Sequence, residues 1–175
     1  VDLLAKVLSS NLPLVLDADA LNLIATEPGL GQKLASRRAA SLLTPHPLEA
    51  ARLLGCASDV VQADRLEAAK VLAQRFNAVV ILKGSGSIIA HPDGRLVINT
   101  SGNPALATAG SGDVLAGLCG ALLAQHWPVW EAALAACWLH GTAADVLVAA
   151  GTGPAGLTAS ELMPAVRIEI NRLTA

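Results

Sequence analysis

Short unbroken apolar runs alternate with segments of helical period along this chain. Leu14-Val15-Leu16, Leu42-Leu43 and Val79-Val80-Ile81-Leu82 each stop at a polar or turn-forming residue, as strands buried on both faces do. Between them, residues 47–54 and 64–76 carry apolar side chains at helical spacing. The second segment sets Leu66, Ala69, Ala73 and Phe76 on one side, with Asp64 as its cap. This alternation predicts an α/β fold, a largely parallel sheet flanked by helices. Residues 87–90 and 96–99 flank Pro92-Asp93-Gly94 and read as a hairpin adjoining that sheet. Residues 111–125 and 129–150 then form two long helices parted near Pro128, and a last helix starts at Thr158 or Ser160 after a loop at 151–156.

No repeat or low-complexity linker interrupts the 175 residues, so residues 1–175 are read as one domain. The chain opens in a helical pattern, residues 2–9, that runs directly into a strand, as though inside an alternating series. An unpaired sheet edge follows from that, and with it the expectation of a homo-oligomer.

Composition narrows the function classes. The chain is 53% hydrophobic and 15% charged, with one Phe and no Tyr, so its core is aliphatic and closely packed. With a formal charge of -2 and dispersed basic residues, it offers no basic stripe for nucleic acid. Residues 129–150 are long and hydrophobic, yet Glu131, His140 and Asp145 are costly in lipid, which favours a buried helix over a membrane span. Cys56, Cys119 and Cys137 are odd in number and widely spaced in apolar surroundings. They fit buried, reduced thiols and a cytoplasmic setting.

Ligands of open parallel sheets gather beyond the carboxyl ends of strands, and four polar clusters lie there. Asp17-Ala18-Asp19 with Asn22 suits a magnesium ion held through water, the orientation of a polar substrate, or simply a helix cap at Asp19. Prolines on both sides of His46 hold its imidazole at a strand end, with Glu49 three residues on, near metal and phosphates or simply in a first helical turn. Lys83-Gly84-Ser85-Gly86-Ser87 can wrap a nucleotide, although it is not a Walker A sequence. Gly110-Ser111-Gly112-Asp113 delivers a carboxylate to the start of an apolar helix whose first amides point at an anion, or else it only packs tightly.

Residues 99–117, which contain this last cluster, resemble the signature of ribokinase-like enzymes, and in particular of the ADP- or ATP-dependent NAD(P)H-hydrate dehydratases. The blocks Leu-Asp-Ala-Asp-Ala-Leu-Asn at 16–22, Thr44-Pro45-His46-Pro47-x-Glu49, Lys83-Gly84-x-x-Ser87 and His140-Gly141-x-Ala143-Ala144-Asp145 agree with that family in order. Leu48 and Ala105 stand where Gly is usual, and Ser87 replaces a usual Thr while keeping the hydroxyl. The resemblance covers nearly the whole chain but about the last two thirds of the family's domain, so Val1 is expected to lie mid-domain.

The resemblance implies a three-layer ribokinase-like fold, incomplete at its N-terminus, and repair of the S-epimer of NAD(P)H hydrate. ADP or ATP is the donor with Mg2+, and the hydrate hydroxyl is phosphorylated before phosphate is eliminated. Asp113 is then the general base, with Gly110 and Gly112 at the transferring phosphoryl group. Lys83, Gly84, Ser85, Gly86, Ser87 and Gly112 hold the nucleotide, His46, Asn103 and Asp113 face the hydrate, and Glu49 reaches the metal through water. His140 and Asp145 fall to supporting roles. The resemblance leaves room for fusion to an epimerase domain in a longer protein. Two readings stay open beside it: a vitamin or small-metabolite kinase of the same fold, and an inactive nucleotide-binding fragment.

Overall fold

The computed structural model describes residues 1–174. Its sheet has five strands in chain order, β1 (Leu14–Leu16), β2 (Ser41–Leu43), β3 (Val79–Leu82), β4 (Ile88–Ala90) and β5 (Leu96–Ile98). β1, β2 and β3 pair in parallel, whereas β4 pairs antiparallel with both β3 and β5, so the hairpin makes the sheet mixed. Strand period decides the layering, because successive side chains leave on opposite faces. Leu43, Val80, Leu82, Ile88 and Ala90 face one core, while Leu42, Val79, Ile81 and Ile89 face the other.

The first core is covered by six helices, α1 (Asp2–Leu8), α2 (Asp19–Thr26), α3 (Pro28–Ala35), α4 (Pro47–Leu54), α5 (Ser58–Ala63) and α6 (Arg65–Phe76). The second is covered by α7 (Ser111–Ala124) and α8 (Val129–Ala149), with α9 (Ala159–Thr174) packed outside them. Each Leu or Ile buried at these faces contributes about 1.5–3 kcal/mol relative to exposure. α8 is long and apolar enough to span a membrane by length and composition, but here it is a core helix. Ala132, Ala133, Ala136, Ala143 and Ala144 are fully buried, their small side chains letting neighbouring elements approach.

Several expectations need correction. Leu66 is exposed, and Leu72 fills the core with Ala69, Ala73 and Phe76, because Leu66 lies at the edge of the buried stripe in the first turn of α6. Asp64 does cap α6, accepting from Glu67 N at 2.9 Å. Asp19 caps nothing: Ala18 is the N-cap of α2, and Asp19 is already helical. Cys56 is exposed, because the chain leaves α4 through Gly55 in a left-handed turn that sets Cys56 outside the core. Cys119 and Cys137 are buried. The short helices α3 and α5 were not expected. Two glycines in α3 and only six residues in α5 give little helical signal.

Candidate functional site

The topology gathers all four polar clusters at one edge of the sheet. β1, β2 and β3 are parallel and β5 shares their direction, so Asp17, Thr44, Lys83 and Asn99 all leave strands on the same side. Thr44 N donates to Leu16 O at 3.1 Å and Lys83 N to Pro45 O at 2.8 Å, which ties three strand ends together. Across β2, Lys83 Nζ and Asp17 Oδ1 form a partly buried ion pair at 2.9 Å. Asp17 thus holds the lysine, a role its sequence setting does not disclose.

A cavity of about 540 Å³ opens here. Lys83 to Ser87 form one wall and the segment around Asn103 another, while Ser111 and Gly112 close the end at α7. Gly84 and Gly86 both take positive φ, +154° and +64°, which lets the loop fold back on itself. Ser87 Oγ fastens that fold by accepting from Gly84 N at 3.3 Å and donating to Gly84 O at 3.2 Å. From behind, Arg65 Nη1 donates to Ser85 O at 2.7 Å and Nη2 to Leu82 O at 3.3 Å. A Cβ on Gly84 would lie 2.6 Å from Arg65 Nη2, so the glycine also makes room for the guanidinium. Arg65 has no carboxylate partner among the described residues, and its charge stands directly behind the loop. No sequence pattern pointed to it.

The opposite wall hangs on α8. Asp145 Oδ2 accepts from Gly102 N at 2.8 Å and Oδ1 from Asn103 Nδ2 at 2.9 Å. Ser101 Oγ is bonded to Trp138 O, and Asn99 Nδ2 donates to Cys137 O. Gly141 permits this approach, since a Cβ there would lie 2.6 Å from Ser101 C. A glycine inside an otherwise helix-forming segment was the available signal for this contact. Asn103 therefore lines the cavity with its amide already engaged, its Oδ1 accepting from Ala105 N to start the 3-10 turn Pro104–Leu106. Its first task is to shape the wall.

α7 starts at the cavity's end. Gly110 is the N-cap with φ +83°, and no side chain caps the turn. Ser111 N turns back to Thr108 O at 3.3 Å, which leaves the amides of Gly112 and Asp113 as unpaired donors among the described residues. A Cβ on Gly112 would stand 3.5 Å from Lys83 Nζ, so ammonium and helix start face each other closely. Backbone donors and a cation thus converge, an arrangement suited to an anion.

Gly110 and Asp113 are exposed and lie outside the cavity wall, on its rim beside Gly112. His46 lies outside it as well. Its Nδ1 accepts from Leu48 N and Glu49 N at 3.1 and 3.3 Å, while Glu49 Oε2 accepts from His46 N at 2.8 Å. The two residues form a capping box, a local reason for their spacing. Glu49 is 4% exposed and its other oxygen is 3.4 Å from His46 Nε2, so its carboxylate is committed within α4. Among the described residues no cluster of three acidic, His or Cys side chains could hold a metal. A magnesium ion would need ligands beyond these side chains, such as water and a nucleotide's phosphates.

Two groups on α8 complete the lining. Burial pushes the Cys137 thiol up to about 11, offset in part by a hydrogen bond with Ser87, so it is a thiol and not a nucleophile at neutral pH. Burial also lowers the His140 imidazole below its ordinary value, against a smaller upward pull from the Ser111 backbone.

The sequence profile of the family described as NAD(P)H-hydrate dehydratase matches residues 1–166. The chain is 52% identical over 162 residues to the ADP-dependent (S)-NAD(P)H-hydrate dehydratase of Neisseria meningitidis serogroup B, covering 93% of this chain and 54% of that protein. It thus spans about half that relative's length. The ADP/ATP-dependent NAD(P)H-hydrate dehydratase from Bacillus subtilis, co-crystallized with ATP/Mg2+, superposes with a TM-score of 0.82 at 34% identity, over 95% of this chain and 57% of that one. A ribokinase-like superfamily protein from Enterococcus faecalis superposes at 0.78 with 27% identity, over 95% of this chain and 56% of that one.

Proposed function

The chain belongs to the NAD(P)H-hydrate dehydratase family, and from that premise we propose that it takes part in ADP- or ATP-dependent dehydration of (S)-NAD(P)H hydrate. The observation that carries the reading is the convergence of Lys83 Nζ with the open first turn of α7 at the end of the cavity. In this reading the nucleotide occupies the cavity, with its terminal phosphate at Gly112 and its remainder between the Lys83–Ser87 loop and the 99–107 wall. Asp113, on the rim beside that phosphate, faces the hydrate. His46 lies on a loop tied to Lys83 through Pro45 O and would contact the same substrate from the β2 side.

Asp113 takes the proton of the hydrate hydroxyl while that oxygen attacks the terminal phosphorus and the nucleotide departs one phosphate shorter. The amides of Gly112 and Asp113, with Lys83, stabilise charge on the phosphoryl group in flight. Asp17 keeps the lysine aimed. The ring nitrogen's lone pair then expels phosphate, and loss of a proton from the neighbouring carbon restores the dihydropyridine. The products are NAD(P)H, inorganic phosphate and AMP when ADP is the donor. Because Glu49 is committed to its cap, magnesium would arrive on the nucleotide's own phosphates.

The test is to incubate the purified protein with hydrated NADH, magnesium, and ADP or ATP, and follow absorbance at the reduced nicotinamide band. Recovery that is lost in Asp113→Asn while nucleotide binding persists supports the assignment. No recovery with either donor refutes it, and turnover surviving Asp113→Asn removes that residue from the role of base.

A further inference from the structure

Three buried side-chain atoms have no hydrogen-bond partner among the described residues: Ser10 Oγ, Arg65 Nε and His140 Nε2. Of their three residues, only His140 lines the cavity. It is 7% exposed, so water is a poor substitute partner, and an imidazole nitrogen left unpaired at that depth is an expense most folds avoid. The other half of the ring is accounted for. The Ser111 backbone pulls the imidazole toward protonation, the effect of a carbonyl on a ring N-H, and with Nε2 unpaired that contact belongs to Nδ1. Burial keeps the ring neutral, so Nδ1 carries the hydrogen and Nε2 presents a lone pair. Cys137, one turn earlier on α8, and Leu115 on α7 offer the cavity no strong competing donor.

We propose that His140 Nε2 accepts a hydrogen bond from a ribose hydroxyl of the nucleotide bound in this cavity, making His140 a recognition residue of the site. The proposal rests on the reading that a nucleotide binds there. The choice of sugar follows from position: His140 lines the cavity beside Ser111 and Gly112, at the phosphate end, and its imidazole is engaged by the Ser111 backbone there. That keeps Nε2 within reach of the sugar adjoining the phosphates and short of the far edge of the base. A neutral acceptor also suits a hydroxyl donor and leaves the anionic phosphates to Lys83 and the α7 amides.

Isothermal titration of the purified protein with ADP, 2′-deoxy-ADP, 3′-deoxy-ADP and N6,N6-dimethyl-ADP tests this. Wild type is expected to bind one deoxynucleotide about tenfold more weakly than ADP. His140→Phe should weaken ADP by a similar factor and leave that deoxynucleotide within about twofold, while His140→Gln, which retains an acceptor, recovers part of the loss. Equal wild-type affinity for ADP and both deoxynucleotides overturns the proposal without any variant. So does a His140→Phe loss shared by all four ligands, or one absent only for the dimethylated base, which would place Nε2 at the adenine. A wild-type protein that binds no nucleotide overturns the nucleotide reading itself, and the proposal with it.

Discussion

Replacing Gly141 by Ala tests how the far wall of the cavity is built. On helix propensity alone, the change should stabilise α8 by about 1 kcal/mol, since Gly is the poorer interior residue. The structure reverses that sign. An added methyl would lie 2.6 Å from Ser101 C and 2.7 Å from Ser101 O, and closer still to Ser101 Oγ, where ordinary contact begins at 3.4 Å. The obstacle is backbone, so it cannot rotate away. The 99–103 segment must retreat by roughly 0.8 Å, and overpacking of this kind costs about 1–3 kcal/mol. Retreat also stretches the bonds from Ser101 to Trp138 O and from Asn99 to Cys137 O, already 3.1 and 3.4 Å.

The net expectation for Gly141→Ala is destabilisation of up to about 2 kcal/mol, a fall in Tm of up to about 8 °C for a chain of this size, together with weaker ADP binding because the displaced segment lines the cavity. Gly117→Ala and Gly120→Ala are the controls. Both glycines lie inside α7 with nothing within 4 Å of an added Cβ, and each change should stabilise by about 0.5–1 kcal/mol. Thermal and urea denaturation of the three variants give the answer. If Gly141→Ala gains stability as the controls do and binds ADP normally, the close approach of the 99–103 segment to α8 is wrong.

Arg37 is nearly buried with no acidic partner among the described residues, donating to Leu8 O, Ser10 O, Leu12 O and Ser41 Oγ, so Arg37→Leu should cost about 2–4 kcal/mol in urea unfolding. Arg37→Lys should recover little, because one ammonium cannot span these acceptors, and a lysine variant as stable as wild type would contradict that geometry. A thiol reagent should modify Cys56 quickly and reach Cys119 and Cys137 only on unfolding, their thiols being pushed up to about 12 and 11 by burial; fast modification of a second thiol in the native protein would refute their placement. His140 is lowered from 6.5 by burial, so below that pH the unfolded chain binds the extra proton and the native state does not. Its contribution is present above pH 6.5 and is lost as pH falls toward the lowered folded value. The stability difference between about pH 7.5 and 5.5 should therefore shrink in His140→Gln, and an unchanged difference would count against a buried neutral imidazole.

Local chemistry was enough to locate most of the elements. Apolar runs that stop at turn-forming residues marked β1, β2 and β3, and Asp64 announced the start of α6. Where local signals are weak, as in the glycine-bearing α3, or where a side chain sits at the edge of a buried stripe, as at Leu66, the neighbours decide, and those neighbours are distant in sequence. The ordered motifs likewise led to the correct family, because backbone-shaping glycines and strand-end polar residues leave a trace in the chain itself. Which of those residues share one cavity was a tertiary matter. Packing α8 against the 99–103 segment brought Asp145, Gly141 and His140 into the site, and the parallel strands brought Asp17 to Lys83 from 66 residues away. His46 and Glu49, by contrast, answer to their own turn, bound to each other in a helix cap. Spacing along the chain records what a residue can do for its own turn, but only the fold sets the distance to a group on another element, and hydrogen bonding and burial depend on that distance.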